Sequence, residues 1–198
     1  MKCYQEMTLL PSQEISLAFL WTKVYGQIHL GLVSLKDEND CTPIGVSFPE
    51  YQPFSHKRGE KDGGLGTKLR LFAKDEGDLK AMGVEKLLER MKDYVHITSV
   101  RPVPERPKAH AIYRRFHQTK SVAQKARRFA NRHGVEYTEA EKLFPQVQME
   151  SAFPYIQMVS LTNRHRFDLF IVKEKKEQST EGGFNVYGLS TSATVPEF

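Results

Sequence analysis

EISLAFLWTKVYGQIHLGLVSL, residues 14–35, carries the clearest periodicity in the chain. Leu17, Leu20, Trp21, Val24, Ile28, Leu32 and Leu35 recur largely at spacings of three and four, which predicts an amphipathic helix with one apolar face. Ser12 or Ser16 can supply the N-cap hydroxyl. Gly26 and Gly31 weaken the helix near its end, so an irregular backbone is expected around His29.

Strand signals flank this helix on both sides. Residues 3–10 alternate as a strand until Pro11 stops them. P-I-G-V-S-F-P at 43–49 reads as a short strand bounded by prolines, and the glycine-rich polar stretch 51–66 as a loop with no assigned role. Residues 68–73 (K-L-R-L-F-A) alternate again, 75–91 carry helical signals broken at Gly83, and 94–103 are rich in β-formers. The order is β-α-β-β-α-β, the split βαβ or ferredoxin-like pattern. That pattern hosts many functions and narrows them little.

The expected class is therefore α+β, with a ferredoxin-like domain over 1–103 and a smaller half over 104–198. In that half, P-V-P-E-R-P-K at 102–108 reads as a linker, and 121–133 as a basic helix closed by Gly134. Thr138-x-x-Glu141 reads as a capping box for a second short helix that Pro145 ends. Strands are expected at 155–160, 167–173 and 184–189.

Charge points to a local patch. The net charge is +5, yet acids nearly match bases in number. Between Arg101 and His133 stand ten Lys/Arg, Lys120 among them, against the single acid Glu105. On the basic helix Lys125, Arg128 and Arg132 share a face, with Arg127 beside them. Such a face suits a groove lined by phosphates, so nucleic acid is the expected partner.

The two cysteines, Cys3 and Cys41, form no C-x-x-C pair and are expected as free thiols in a reducing compartment. No signal-peptide core and no ~20-residue apolar span is present, so a soluble cytoplasmic protein without membrane contact is expected.

Five strings, in order, carry a resemblance: G-Q-I-H-L at 26–30, I-G-V-S-F-P at 44–49, R-R-F-A-N-R-H at 127–133, R-F-D-L-F-I at 166–171 and E-G-G-F-N-V-Y-G-L-S at 181–190. Together they resemble the CRISPR repeat-processing endoribonuclease of the subtype I-F (Csy) system over essentially the whole chain. The resemblance implies an enzyme that cuts repeat RNA at the 3′ base of a stem-loop without metal or other cofactor. The upstream 2′-hydroxyl attacks and leaves a 2′,3′-cyclic phosphate. The enzyme then stays on the hairpin as one subunit of a surveillance complex, so the other subunits are implied partners.

The resemblance also implies site residues. The histidine of its G-x-x-H string falls on His29 as the base for the 2′-hydroxyl, a role that an imidazole with an ordinary pKa of about 6.5 suits. Its active-site serine falls on Ser160, which would hold the attacking ribose, with Thr162 in place of a second serine. Tyr187 matches a tyrosine that lines the site and orients the histidine. Phe167 matches the aromatic that stacks under the terminal base pair, where stacking contributes about 1–3 kcal/mol per base. Arg128 and Arg132 match helix arginines that meet the groove of the hairpin. The family's base-reading Arg and Gln have no clean counterpart in Y-R-R-F-H-Q-T-K-S: Arg114, Arg115 and Gln118 are present, but the spacing is shifted and Phe116 falls where the arginine is expected. Arg115 and Gln118 fit best.

Two other classes compete with this reading. A hairpin binder that caps an assembly without cutting would have little reason to hold both His29 and Ser160. A metal-dependent nuclease would need clustered carboxylates or H-E-x-x-H-like spacing, which the sequence does not offer.

Overall fold

The structure is a computed structural model, and it describes residues 1–54, 63–116, 122–143, 153–160 and 163–198, with only the backbone for 122–125. Among the described residues it is a mixed α/β protein with two larger antiparallel sheets and one two-stranded sheet.

The first sheet contains β1 (Cys3–Leu9), β3 (Gly45–Ser47), β4 (Lys68–Ala73) and β5 (Val95–Ile97) in the order β3-β4-β1-β5. The two-residue β6 (Arg101–Pro102) pairs with the start of β1. Along β1, Cys3, Gln5, Met7 and Leu9 are buried and the residues between them are not, the alternation of a strand with one face on a core. The expected strand-helix-strand-strand-helix-strand order is present here, although two of its strands are shorter than expected. The 43–49 strand is reduced to β3, preceded by β2 (Cys41–Thr42), and 94–103 divides into β5 and β6.

Helix α1 (Leu17–Ser34) starts at Ser16, whose hydroxyl accepts from the Phe19 N–H. Such a cap contributes about 1 kcal/mol. Its buried stripe is Leu20, Trp21, Val24, Tyr25, Ile28, Gly31 and Leu32. The expected irregularity around His29 is absent, because the helix runs unbroken through Gly26 and Gly31. Packing explains one glycine: a Cβ on Gly31 would come within 2.6 Å of Leu87 Cδ1 and 2.8 Å of Met82 Cε. Those partners belong to α2 (Glu76–Met82) and α3 (Val84–Leu87), which Gly83 separates at φ 60°.

The second sheet has the order β11-β7-β9-β8, from β7 (Ala109–Phe116), β8 (Tyr155–Val159), β9 (Arg166–Lys176) and β11 (Val195–Glu197). The linker read over 102–108 thus gives way to β7 only one residue later, and Arg114 and Arg115 lie on that strand. The 184–189 strand is limited to β10 (Phe184–Asn185), which pairs with β2.

One apolar cluster joins both sheets: Met7, Val46, Phe48 and Leu71 pack with Tyr113, Met158, Ile171 and Val195. Tyr113 secures the junction, its hydroxyl lying 3.0 Å from the Phe48 carbonyl and 2.8 Å from Glu197 Oε1. Glu197 also pairs with Lys173.

The basic helix α4 (Val122–His133) packs on α5 (Tyr137–Lys142) through a separate cluster of Ala126, Ala130 and Ala140. Gly134 ends α4 at φ 64°, and the Val135 N–H returns to the Ala130 carbonyl, as in a Schellman motif. The expected Thr138 capping box is not formed. Helix α5 already includes Thr138, and Glu136 stands at its N-cap position without a side-chain hydrogen bond. Pro145 lies outside the described residues.

Candidate active site

The site begins with a turn after β10. Asn185 Oδ1 accepts from the N–H groups of Tyr187 and Leu189, and the Gly188 N–H donates to the Asn185 carbonyl. Gly188 has φ 68°. Asn at the first position and Gly at the fourth is the chemistry of a tight turn, which N-V-Y-G supplies. The turn is fixed to β3, where the Val46 N–H donates to the Gly188 carbonyl at 2.9 Å.

Helix α1 grips this turn from the other side. The Tyr25 hydroxyl donates to the Tyr187 carbonyl at 2.8 Å. One helical turn later, His29 Nδ1 lies 2.8 Å from the Val186 carbonyl oxygen. A carbonyl can only accept, so Nδ1 carries the hydrogen and the neutral ring keeps its lone pair on Nε2. The Tyr187 ring stacks on the imidazole, with centroids 4.4 Å apart and planes 6° apart. Burial pushes the His29 pKa below its ordinary 6.5, and the hydrogen bond to Val186 partly opposes this. The half-buried imidazole is therefore a neutral base with a fixed tautomer at neutral pH.

Arg115 and Phe167 complete the cluster. The Arg115 guanidinium stands 5.1 Å from the Phe167 ring centroid and 5.5 Å from that of Tyr187. Phe167 meets Tyr187 edge-on at 6.5 Å. Arg115 Nε is buried with no hydrogen-bond partner among the described residues. A buried donor left unmatched costs about 1–3 kcal/mol, so an acceptor that arrives from outside has a ready partner.

Ser160 follows the last residue of β8 at the mouth of the hairpin to β9. Its N–H donates to the His165 carbonyl, and its own carbonyl accepts from the Arg164 N–H, with Arg164 at φ 55°. Met158 pairs with Phe167 and Val159 with Arg166. Strand alternation therefore puts Ser160, two residues past Met158, on the Phe167 side of the sheet.

Other expected residues lie apart from this cluster. Arg114 alternates to the opposite face of β7 and pairs with Glu174 at 2.6 Å. Arg127, Arg128 and Arg132 are exposed on α4, and the Arg127 guanidinium sits 6.0 Å over the Tyr137 ring. Lys125 lies on the same helix, its side chain not described. Gln118, Lys120 and Thr162 lie outside the described residues. Among the described residues, no three His, Cys, Asp or Glu side chains gather as metal ligands, and no helix is long and apolar enough to cross a membrane.

Sequence reading missed Tyr25, Asn185 and the Val186 carbonyl. Tyr25 was open to recognition, since it stands four residues before His29 on the same helical face. The Asn185–Gly188 spacing was a turn signal absorbed into a strand. The carbonyl has no signature, because any residue supplies one.

Comparisons with known proteins identify the family. The chain is 29% identical over 198 residues to "CRISPR-associated endonuclease Cas6/Csy4" of Escherichia coli (strain UTI89 / UPEC), covering 98% of each chain. It is 29% identical over 197 residues to the protein of the same name from Pseudomonas aeruginosa (strain UCBPP-PA14), again covering 98% of each. The family model described as CRISPR-associated protein (Cas_Csy4) matches residues 4–198, and the chain belongs to that family.

Proposed function

We propose that this chain is an endoribonuclease that cuts CRISPR repeat RNA at the 3′ base of its stem-loop. One observation carries the reading: an imidazole with Nδ1 bound to the Val186 carbonyl, stacked on Tyr187, with Nε2 left as a base. In the reaction, Nε2 takes the proton of the 2′-hydroxyl. The 2′-oxygen attacks the adjacent phosphorus and the bond from phosphorus to the 5′-oxygen breaks. The products are a 2′,3′-cyclic phosphate and a 5′-hydroxyl, which gains a proton. No metal takes part.

Ser160 orients the attacking ribose, and Thr162 supplies a second hydroxyl. Phe167 stacks under the last base pair of the stem, which sets the cut at its foot. Arg115 donates to a base or phosphate at that pair, and Gln118 reads the next. Lys125, Arg127, Arg128 and Arg132 hold the groove, with Lys120 and Arg114 on outlying phosphates. In this reading residues 1–103 form a ferredoxin-like scaffold and 104–198 the RNA-binding half. The enzyme works in the cytoplasm, keeps its hairpin product and joins the other subunits of a type I-F surveillance complex.

Incubation of the wild-type protein with its cognate repeat RNA in EDTA tests the reading. Cleavage to a fragment ending in a cyclic phosphate is expected. Binding without cutting would replace the enzyme by a hairpin-binding subunit, and cutting that stops in EDTA would replace the mechanism.

A further inference from the structure

A groove of about 860 Å³ runs between the N-terminal half of α1 and the edge strand β8. Phe19, Trp21 and Lys23 line its helix wall, and Tyr155, Gln157 and Arg166 its strand wall. Phe19 and Tyr155 are 51% and 49% exposed, so neither ring is explained by a core. Lys23 stands over the Phe19 ring at 5.3 Å, and neither Lys23 nor Arg166 is in an ion pair with a described residue. Glu50 is the single acid among the described lining residues, and its carboxylate is already occupied by the Thr67 N–H and hydroxyl. Exposed rings beside cations that no described residue pairs form a surface for stacked bases and their phosphates.

The helix wall leads toward the active site. On the strand wall, Val159 and Arg166, the last pair of the β8–β9 ladder, line the groove from the face opposite that of Ser160 and Phe167. On the helix, Thr22 lines the groove, Gly26 follows one turn later, and His29 follows that.

Gly26 is a second observation. A Cβ placed there would meet no atom within 4 Å, and its backbone is ordinary helix. Glycine inside a helix is destabilising relative to alanine, and neither packing nor a positive φ accounts for this one. Helical side chains lean toward the N-terminus, so His29 reaches back over the turn that holds Gly26. The open space therefore adjoins the base.

We infer that this groove receives the single-stranded RNA on the 3′ side of the cut, with Gly26 keeping open its passage from His29. The inference rests on the catalytic reading above. In that reading the stem ends on Phe167, and the strand beyond the scissile phosphate leaves between His29 and Ser160. From Thr22 on the groove's helix wall, the same face of α1 continues through Gly26 to His29.

The test uses repeat hairpins with a 2′-deoxy nucleotide at the mapped cleavage position, so affinity is measured without cutting. Adding five nucleotides 3′ of the cut is expected to tighten wild-type binding about tenfold, the order of one stacking contact. The Phe19→Ala/Lys23→Gln double variant should lose that gain and keep its affinity for the hairpin without the extension. Gly26→Ala should raise Tm yet bind the extended RNA no more tightly than the hairpin alone. No wild-type gain, a gain kept by the double variant or by Gly26→Ala, or an equal gain from a 5′ extension would overturn the inference. Cleavage of the all-ribose RNAs on the same samples reports separately on the catalytic reading.

Discussion

Tyr25 and His29, four residues apart on α1, hold consecutive carbonyls of one turn: the Tyr25 hydroxyl bonds to the Tyr187 oxygen and His29 Nδ1 to the Val186 oxygen, each at 2.8 Å. The orientation of the His29 imidazole is thus tied to a turn more than 150 residues away in sequence. Burial raises the Tyr25 phenol far above its ordinary range, so it remains a donor. Tyr25→Phe leaves the Tyr187 carbonyl without its partner at a cost of about 1–2 kcal/mol. A lower Tm and several-fold slower cleavage at unchanged hairpin affinity are expected, read by thermal melting and single-turnover kinetics.

The lowered pKa of His29 fixes the sign of the pH response. The base must be neutral, so the rate rises with pH through the His29 pKa and levels off above it. The midpoint of the acid limb should lie below 6.5, in a pH series of single-turnover rates. Folding follows the same sign. The unfolded chain binds more protons between the folded value and 6.5, so the His29 contribution to stability is present above 6.5 and is lost as pH falls through that window.

The stack of Tyr187 on His29 needs a flat ring. Tyr187→Phe should keep the stack and cleave within about fivefold of the wild type, since the loss of one net hydrogen bond of about 1 kcal/mol is the largest expected effect. Tyr187→Leu removes the flat cover and exposes the imidazole. Its acid limb should move up toward 6.5 and its rate should drop about tenfold, the change an aromatic pair worth about 1.4 kcal/mol would give.

Adjacent arginines on β7 should behave differently. Arg115 faces Phe167 and Tyr187 with an unsatisfied Nε, whereas Arg114 is held by Glu174 on the opposite face. Arg115→Gln should weaken hairpin binding by about 1–3 kcal/mol, as for a lost base contact. Arg114→Gln should change it by much less. Gel-shift titration of both variants on one RNA compares them directly.

On α4, Arg128 and Arg132 are exposed while Ala126 and Ala130 are buried, so truncation should spare the fold. Arg128→Ala or Arg132→Ala should each reduce the slope of log affinity against log salt by about one.

Elements with a clean period were legible in the sequence. The α1 stripe, the alternation of β1 and β4, and the Gly83 break all lie where the residues put them. Strand β7 was not legible. Its inward face holds Ala111, Tyr113 and Arg115 and its outward face Ile112 and Phe116, so apolar groups stand on both sides and no alternation marks it. Pro196 likewise disguised β11, a three-residue edge strand. For the site, His29 stood out through family resemblance rather than local pattern. Its tautomer depends on a backbone carbonyl from the far end of the chain, which no residue type announces.

The most direct measurement compares wild type with His29→Ala on the cognate repeat RNA, following cleavage and hairpin binding on the same samples. The account predicts that His29→Ala binds as tightly as the wild type and does not cut. Cutting by His29→Ala at the wild-type rate would contradict it.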